Sequence, residues 1–147
     1  WVYPYEDEEE HVIYNMVNGL LLRPYVSGMV WKLSDNSMKL MQEGIALYKE
    51  IRSDVKEAVP FFPLGFGNSR QDALAYGLRK GDTVYLAVFA PGTKDVEIPL
   101  TFGKETGQAE VIYPKKGNCE YKVEDGILSV HMPQEKTARL FKMTLRG

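Results

Sequence analysis

Apolar residues recur along the chain at two different periods, and the change falls near Pro60. Val12, Ile13, Met16, Val17, Leu20 and Leu21 make one broad face at helical spacing, with His11, Asn15 and Asn18 on the opposite, solvated face. The acidic run Glu6-Asp7-Glu8-Glu9-Glu10 opens this helix, where carboxylates meet the positive end of the helix dipole. Pro24 predicts its end, because proline lacks an amide donor and restricts Arg23 before it. Tyr25-Val26-Ser27-Gly28-Met29-Val30-Trp31 is too short for a helix, and its β-branched and aromatic residues predict a buried strand ending in a turn. A second helix follows, with Ser34 as N-cap and Asp35 in its first turn. Its stripe of Met38, Met41, Ile45, Tyr48, Ile51 and Val55, widened by Leu40, Gly44 and Leu47, has the spacing of core packing.

Beyond Pro60 the period drops to two and turn residues become frequent. Strands are predicted at Asp72–Arg79, Thr83–Ala90, Val96–Phe102, Ala109–Tyr113, Asn118–Val123, Ile127–Met132 and Ala138–Leu145. Lys80-Gly81-Asp82 and Asp125-Gly126 mark hairpin loops. Val84, Leu86 and Val88 alternate with Tyr85, Ala87 and Phe89, so Thr83–Ala90 is apolar on both faces and belongs at the centre of a sheet. Pro99 places its own strand at an edge or a bulge. So many short strands predict an antiparallel β-sandwich or small barrel from about Phe61 to Leu145.

Composition narrows the function classes. The 147 residues are 44% hydrophobic and 26% charged, as in ordinary globular proteins. Eighteen basic against twenty acidic residues give a formal charge of −2, which leaves no basic stripe for nucleic acid. No apolar run approaches the roughly 20 residues of a membrane span. Cys119 is the single cysteine, so there is no intramolecular disulfide and no cysteine-based zinc site. His11 and His131 are the two imidazoles, and no metal-ligand spacing surrounds either. Gly65-Phe66-Gly67 lacks the following helix that a dinucleotide-binding loop requires. These residues predict neither a metal nor a cofactor, and no pair of carboxylates stands out as an active site. The opening Trp1-Val2-Tyr3-Pro4 has no initiator Met or signal peptide, which predicts a piece of a longer polypeptide.

Six segments occur in an order that carries a family resemblance: Trp1-Val2-Tyr3-Pro4, the stretch Tyr14–Arg23 (YNMVNGLLLR) with Ser27-Gly28, Leu33-Ser34, Gln42-Glu43-Gly44, Tyr48-Lys49-Glu50-Ile51-Arg52 and Pro60-Phe61-Phe62-Pro63-Leu64-Gly65. Together they resemble the C-terminal part of melibiase-type α-galactosidases, glycoside hydrolase family 36. The resemblance covers about the first 66 residues, and Tyr85-Leu86-Ala87-Val88-Phe89 looks like the opening of the family's C-terminal β domain. It implies an α+β fragment: residues 1–58 as the last helix-strand-helix of a catalytic (β/α)8 barrel and 59–147 as an antiparallel β-sandwich domain. Tyr25–Ser27 would be the last barrel strand and Ser34–Ala58 the last barrel helix. Barrel active sites lie at the C-terminal ends of the strands, which places Trp1, Ser27 and Gly28 near the sugar pocket. Where the family commonly has His or another polar residue after the Ser-Gly pair, this sequence has Met29-Val30.

The implied activity is retaining hydrolysis of terminal α-linked galactose from oligosaccharides, without a cofactor. The family's two catalytic carboxylates precede the matched region, so no catalytic residue is expected in this chain and the chain alone is expected to be inactive. Its expected partners are an oligosaccharide and either the remaining barrel segments or a second copy, met through the helix faces; a cytoplasmic location goes with this reading. The alternative is a non-catalytic carbohydrate-binding or packing module, for which an exposed row of aromatics on one sheet face would be the signature.

Overall fold

Burial of Thr83–Ala90 on both faces sets the architecture, which a computed structural model describes for residues 1–68 and 70–147. This strand, β3, pairs with Leu74–Lys80 (β2) on one side and Thr137–Arg146 (β8) on the other. Val59–Phe61 (β1) and Glu105–Tyr113 (β5) complete an antiparallel sheet of order β1-β2-β3-β8-β5. Tyr85, Ala87 and Phe89 face one core with Leu140 of β8 and the helices, whereas Val84, Leu86 and Val88 face a second core. That second core is closed by a three-stranded sheet of order β4-β7-β6, made from Asp95–Pro99, Ile127–His131 and Glu120–Glu124. The fold is therefore α+β in three layers: helices, the larger sheet and the smaller sheet. The two-sided apolar pattern of β3 places it as expected, at the centre.

Local chemistry explains the turns and edges. Asp125 and Gly126, with φ of +50° and +75°, join β6 to β7 in the doubly left-handed geometry that an Asp-Gly pair favours. Pro99 closes the edge strand β4, where a missing amide donor costs no ladder bond. The short β1, pairing Pro60 with Leu78, was not anticipated. Its three residues are too few for any period to register.

Helix α1 (Glu9–Leu20) buries Val12, Ile13, Met16, Val17 and Leu20, the predicted face, against β3, β8 and the second helix. It stops before Pro24: Leu22 N–H turns back onto Gly19 O at 3.0 Å, so the chain leaves the helix at Leu21 and proline only follows. Helix α2 (Asp35–Glu57) starts at the predicted N-cap, where Ser34 Oγ accepts the Ser37 N–H at 3.3 Å. Met41, Gly44, Leu47 and Ile51 form its buried line, while Ile45 of the predicted stripe is exposed. The contact line is rotated toward Leu47 because α1 and the large sheet cover only one flank of the apolar stripe.

The predicted buried strand Tyr25–Trp31 is corrected. It forms one parallel bridge, Val26 to Val2, followed by a 3-10 turn at Val30–Lys32. Tyr25 is 54% exposed and Trp31 75% exposed. A two-strand pair with one bridge and no strand beyond it, among the described residues, lacks the ladder that would bury these side chains.

A buried ion pair ties α1 to the larger sheet. Arg139, fully buried in β8, lies one residue beyond the end of the β5–β8 pairing at Leu140. Its Nη1 and Nη2 each donate to one carboxylate oxygen of Glu10 at 2.8 Å, a bidentate pair, and further to Ala138 O at 2.8 Å and Asn118 O at 3.2 Å. Among the described residues its Nε has no partner.

Candidate functional site

The three residues singled out from the sequence flank the parallel bridge: Trp1 precedes it beside Tyr25, and Ser27 and Gly28 follow it beside Val2 and Tyr3. Val2 N–H donates to Tyr25 O at 2.8 Å and Ser27 N–H donates to Val2 O at 2.9 Å, which sets Trp1-Val2-Tyr3 alongside Tyr25-Val26-Ser27. Val2 is buried against Gly19 of α1, where a Cβ would strike the valine methyl. Alternation along the strand then turns Trp1 and Tyr3 away from the helices. Trp1, 80% exposed, meets the Tyr25 ring at a centroid distance of 6.1 Å. Gly28 sits at φ +93° beneath the Tyr3 ring, a backbone shape and a close approach that both favour glycine.

Two loops leave the C-terminal ends of this pair, and side chains hold them in place. Asp7 Oδ1 accepts the N–H and the hydroxyl of Ser34, both at 3.0 Å, and Asn36 donates to Glu9 at 3.3 Å. Asn15 accepts the Tyr3 N–H at 3.4 Å and donates to His11 O at 3.0 Å, while the His11 ring lies edge-on to Tyr5 at 4.2 Å. His11 and Asn15, expected on a solvated face, are thus the supports of the aromatic loop Tyr3-Pro4-Tyr5. Helical spacing put them on one side of α1; what covers that side is a loop with no period of its own. Asn18 is exposed, as expected.

The other chemistry-bearing side chains are placed elsewhere. His131 is exposed on the outer face of the smaller sheet, with Nδ1 2.7 Å from Asp95. Burial pushes the Cys119 thiol up, the opposite of what a nucleophile needs. Asp54 and Glu57 are held by Lys80, and Asp54 also accepts the Tyr85 hydroxyl at 2.9 Å; hydrogen bonds from Lys80 and then Tyr85 hold Asp54 below the usual carboxylate range. Among the described residues, no three His, Cys, Asp or Glu side chains are grouped to hold a metal. Gly65-Phe66-Gly67 lies in a loop, not before a helix. The outer face of the smaller sheet presents Asp95, Glu97, Glu120, Lys122, Ser129 and His131, and Tyr85 and Phe89 are buried, so neither sheet face offers a row of exposed aromatics. No helix among the described residues is long and apolar enough to cross a membrane.

The fold of this chain recurs in solved structures. The likeness is to segments of glycoside hydrolases. A family 36 α-galactosidase from Geobacillus stearothermophilus, solved in complex with raffinose, superposes with a TM-score of 0.60 at 13% identity, over 90% of this chain and 19% of that one. An Anoxybacillus α-amylase gives a TM-score of 0.62 at 8% identity, over 94% of this chain and 33% of that one. A family 30 endoxylanase from Clostridium papyrosolvens gives 0.51 at 12% identity, over 98% of this chain and 41% of that one. The chain thus spans less than half the length of each glycoside hydrolase it resembles. No family model matches the sequence, and no curated protein matches it. At these identities the likeness is one of fold.

Proposed function

We propose that the chain is the C-terminal portion of a retaining, α-galactosidase-like glycoside hydrolase, with residues 1–58 closing a (β/α)8 barrel and 59–147 forming its accessory β domain. The observation that carries this reading is the Val2–Val26 parallel pair, with Val2 buried against α1 and Trp1, Tyr3 and Tyr25 exposed. In a closed barrel that exposed side is the interior, and the loops Tyr3–Asp7 and Ser27–Ser34 lie at the catalytic end. The family words in the first 66 residues and the fold likeness to a family 36 α-galactosidase both support the galactoside assignment.

Retaining hydrolysis needs two carboxyl groups roughly 5–5.5 Å apart across the scissile bond. Here the acidic side chains nearest the aromatic cluster, Asp7 and Glu9, hold Ser34 and Asn36, and Glu10 is committed to Arg139. On this reading the chain supplies one wall of the sugar pocket: Trp1 stacks on the sugar, and Ser27-Gly28 lets it approach the backbone. The nucleophile and the acid/base come from the rest of the polypeptide.

The test is chromophore release from an aryl α-galactoside. The longer polypeptide hydrolyses it and the purified 147-residue chain does not. In the longer polypeptide, Trp1→Ala lowers kcat/KM by roughly tenfold, about 1.4 kcal/mol of transition-state stabilisation, and Trp31→Ala lowers it less. Activity in the 147-residue chain, or none on any α-galactoside in the longer one, would overturn the assignment.

A further inference from the structure

We propose that the cavity between α1, the start of β2 and the loop after β1 is a separate, non-catalytic seat for a single sugar ring. The cavity has a volume of about 190 Å³ and is lined chiefly by Tyr14, Asn18, Phe62, Leu74, Tyr76 and Phe89. It shares no residue with the Trp1–Gly28 cluster.

Its walls are flat and aromatic. Phe89, at the base, meets Tyr14 edge-on at 5.2 Å and lies nearly parallel to Tyr76 at 5.9 Å. Phe62, a lining ring that is 42% exposed, carries the aromatic wall outward and pairs at 4.5 Å with Phe66, which is 83% exposed. Nothing lies within 4 Å of where a Cβ on Gly65 would stand, which leaves the entrance open.

Polar groups are few and converge from one side. The Tyr76 hydroxyl is already spent on the carbonyl oxygens of Asn18 and Val17, at 3.2 and 3.5 Å. The Tyr14 hydroxyl and the Asn18 side-chain amide have no hydrogen-bond partner among the described residues. A pyranose presents an apolar C–H face with a rim of hydroxyls, which matches rings on the walls and a phenol plus an amide on α1. Size selects one ring: sites for drug-sized ligands run to roughly 300–1,000 Å³, whereas benzene fills a cavity of roughly 150 Å³. A planar aryl ligand would satisfy the walls and leave Tyr14 and Asn18 without a partner.

The choice of a sugar as the occupant rests on the glycoside hydrolase reading; the shape and polarity of the cavity do not. Holding a distant unit of the same glycan would raise the effective concentration of its cleavable end.

The isotope-labelled 147-residue chain, titrated in separate samples with methyl α-galactopyranoside and with benzyl alcohol, tests this by amide chemical shifts. The sugar moves the Asn18 side-chain amide and the backbone amides of Tyr14, Phe62, Gly65 and Tyr76 together, with a Kd of about 1 mM. Asn18→Ala, an exposed helix position that leaves the fold intact, and Phe62→Ala each weaken that binding by about tenfold, or ~1.4 kcal/mol. Shifts from benzyl alcohol but not from sugar, sugar shifts confined to other residues, or no shift at about a hundredfold higher concentration would each overturn the assignment. Hydrolysis by the longer polypeptide is read separately, so a failed cavity and a failed enzyme assignment are told apart.

Discussion

Strand β3 and the stretches 1–3 and 25–31 are all rich in aromatic and β-branched side chains, yet β3 is almost wholly buried, whereas in the other two Val2 is the one buried residue. Hydrogen-bonding partners account for the difference. From Thr83 to Phe89 each residue of β3 has a neighbour on both sides, and each face of the strand meets a packed layer. Val2 and Val26 share a single bridge; Val2 is covered by α1, whereas Val26 is 44% exposed. Apolar composition alone therefore does not bury a strand; the sheet it joins does.

The seam between the helices and the sheets is the most sensitive place to strain that contrast. Arg139→Ala leaves the Glu10 carboxylate facing the interior without its cation and lowers unfolding stability by roughly 3–5 kcal/mol in chemical denaturation. Arg139→Met combined with Glu10→Leu recovers most of that loss, since apolar groups of similar size need no partner. A double variant as unstable as Arg139→Ala would show that packing, not the charge pair, holds the seam.

Next in size is a paired comparison of the two regions. Leu86→Ala in β3 costs roughly 2–5 kcal/mol, through lost transfer energy and the cavity left behind. Trp1→Ala removes a larger side chain and costs within about 0.5 kcal/mol, because that ring is mostly in water already. Comparable losses in the two variants would mean that the Trp1 end is packed in solution.

The smallest effect is on pH. Lys80 and Tyr85 lower Asp54 from its ordinary value of 3.8, and Lys80 lowers Glu57 from 4.5. Groups with depressed folded values stabilise the protein above their unfolded values, and that contribution is lost as pH falls through the folded ones. The clamp of α2 onto the β2–β3 hairpin therefore loosens from about pH 4.5 downward, by a modest amount because these groups are exposed to solvent. Protection of amides in the last turn of α2, measured relative to intrinsic exchange at each pH, should fall over that interval in the parent chain and show a flatter response in Asp54→Asn. Equal acid sensitivity in both would rule out Asp54 as the source.

Patterns confined to one element were readable from the sequence. The alternation of Val84 to Phe89 placed β3, Asp125-Gly126 placed a turn, and Ser34 placed the start of α2. What escaped depends on distant partners. Glu10 and Arg139 are 129 residues apart, and nothing around either announces the other, although a lone arginine in the apolar run Ala138-Arg139-Leu140-Phe141 was a signal. Tyr25–Trp31 has the composition of a buried strand and lacks the neighbours to become one. The loop supports His11 and Asn15 carry no signal in the period of α1, and needed the loop path to be seen.

The ends of the two sheets carry one more consequence. β1 is only three residues long and contains Pro60, β5 is interrupted by two bulges, β4 finishes on Pro99, and β6 alternates Glu120, Lys122 and Glu124 along its outer face. Each device spoils the backbone as a template for a further strand. A chain this rich in β structure would otherwise invite edge-to-edge growth into insoluble aggregates, above all while crowded on the ribosome during synthesis. With the sheet margins blunted, bare rings such as Trp1, Trp31 and Phe66 are left as the apolar surface, so unwanted association in concentrated samples should begin at those rings and yield to changes in them.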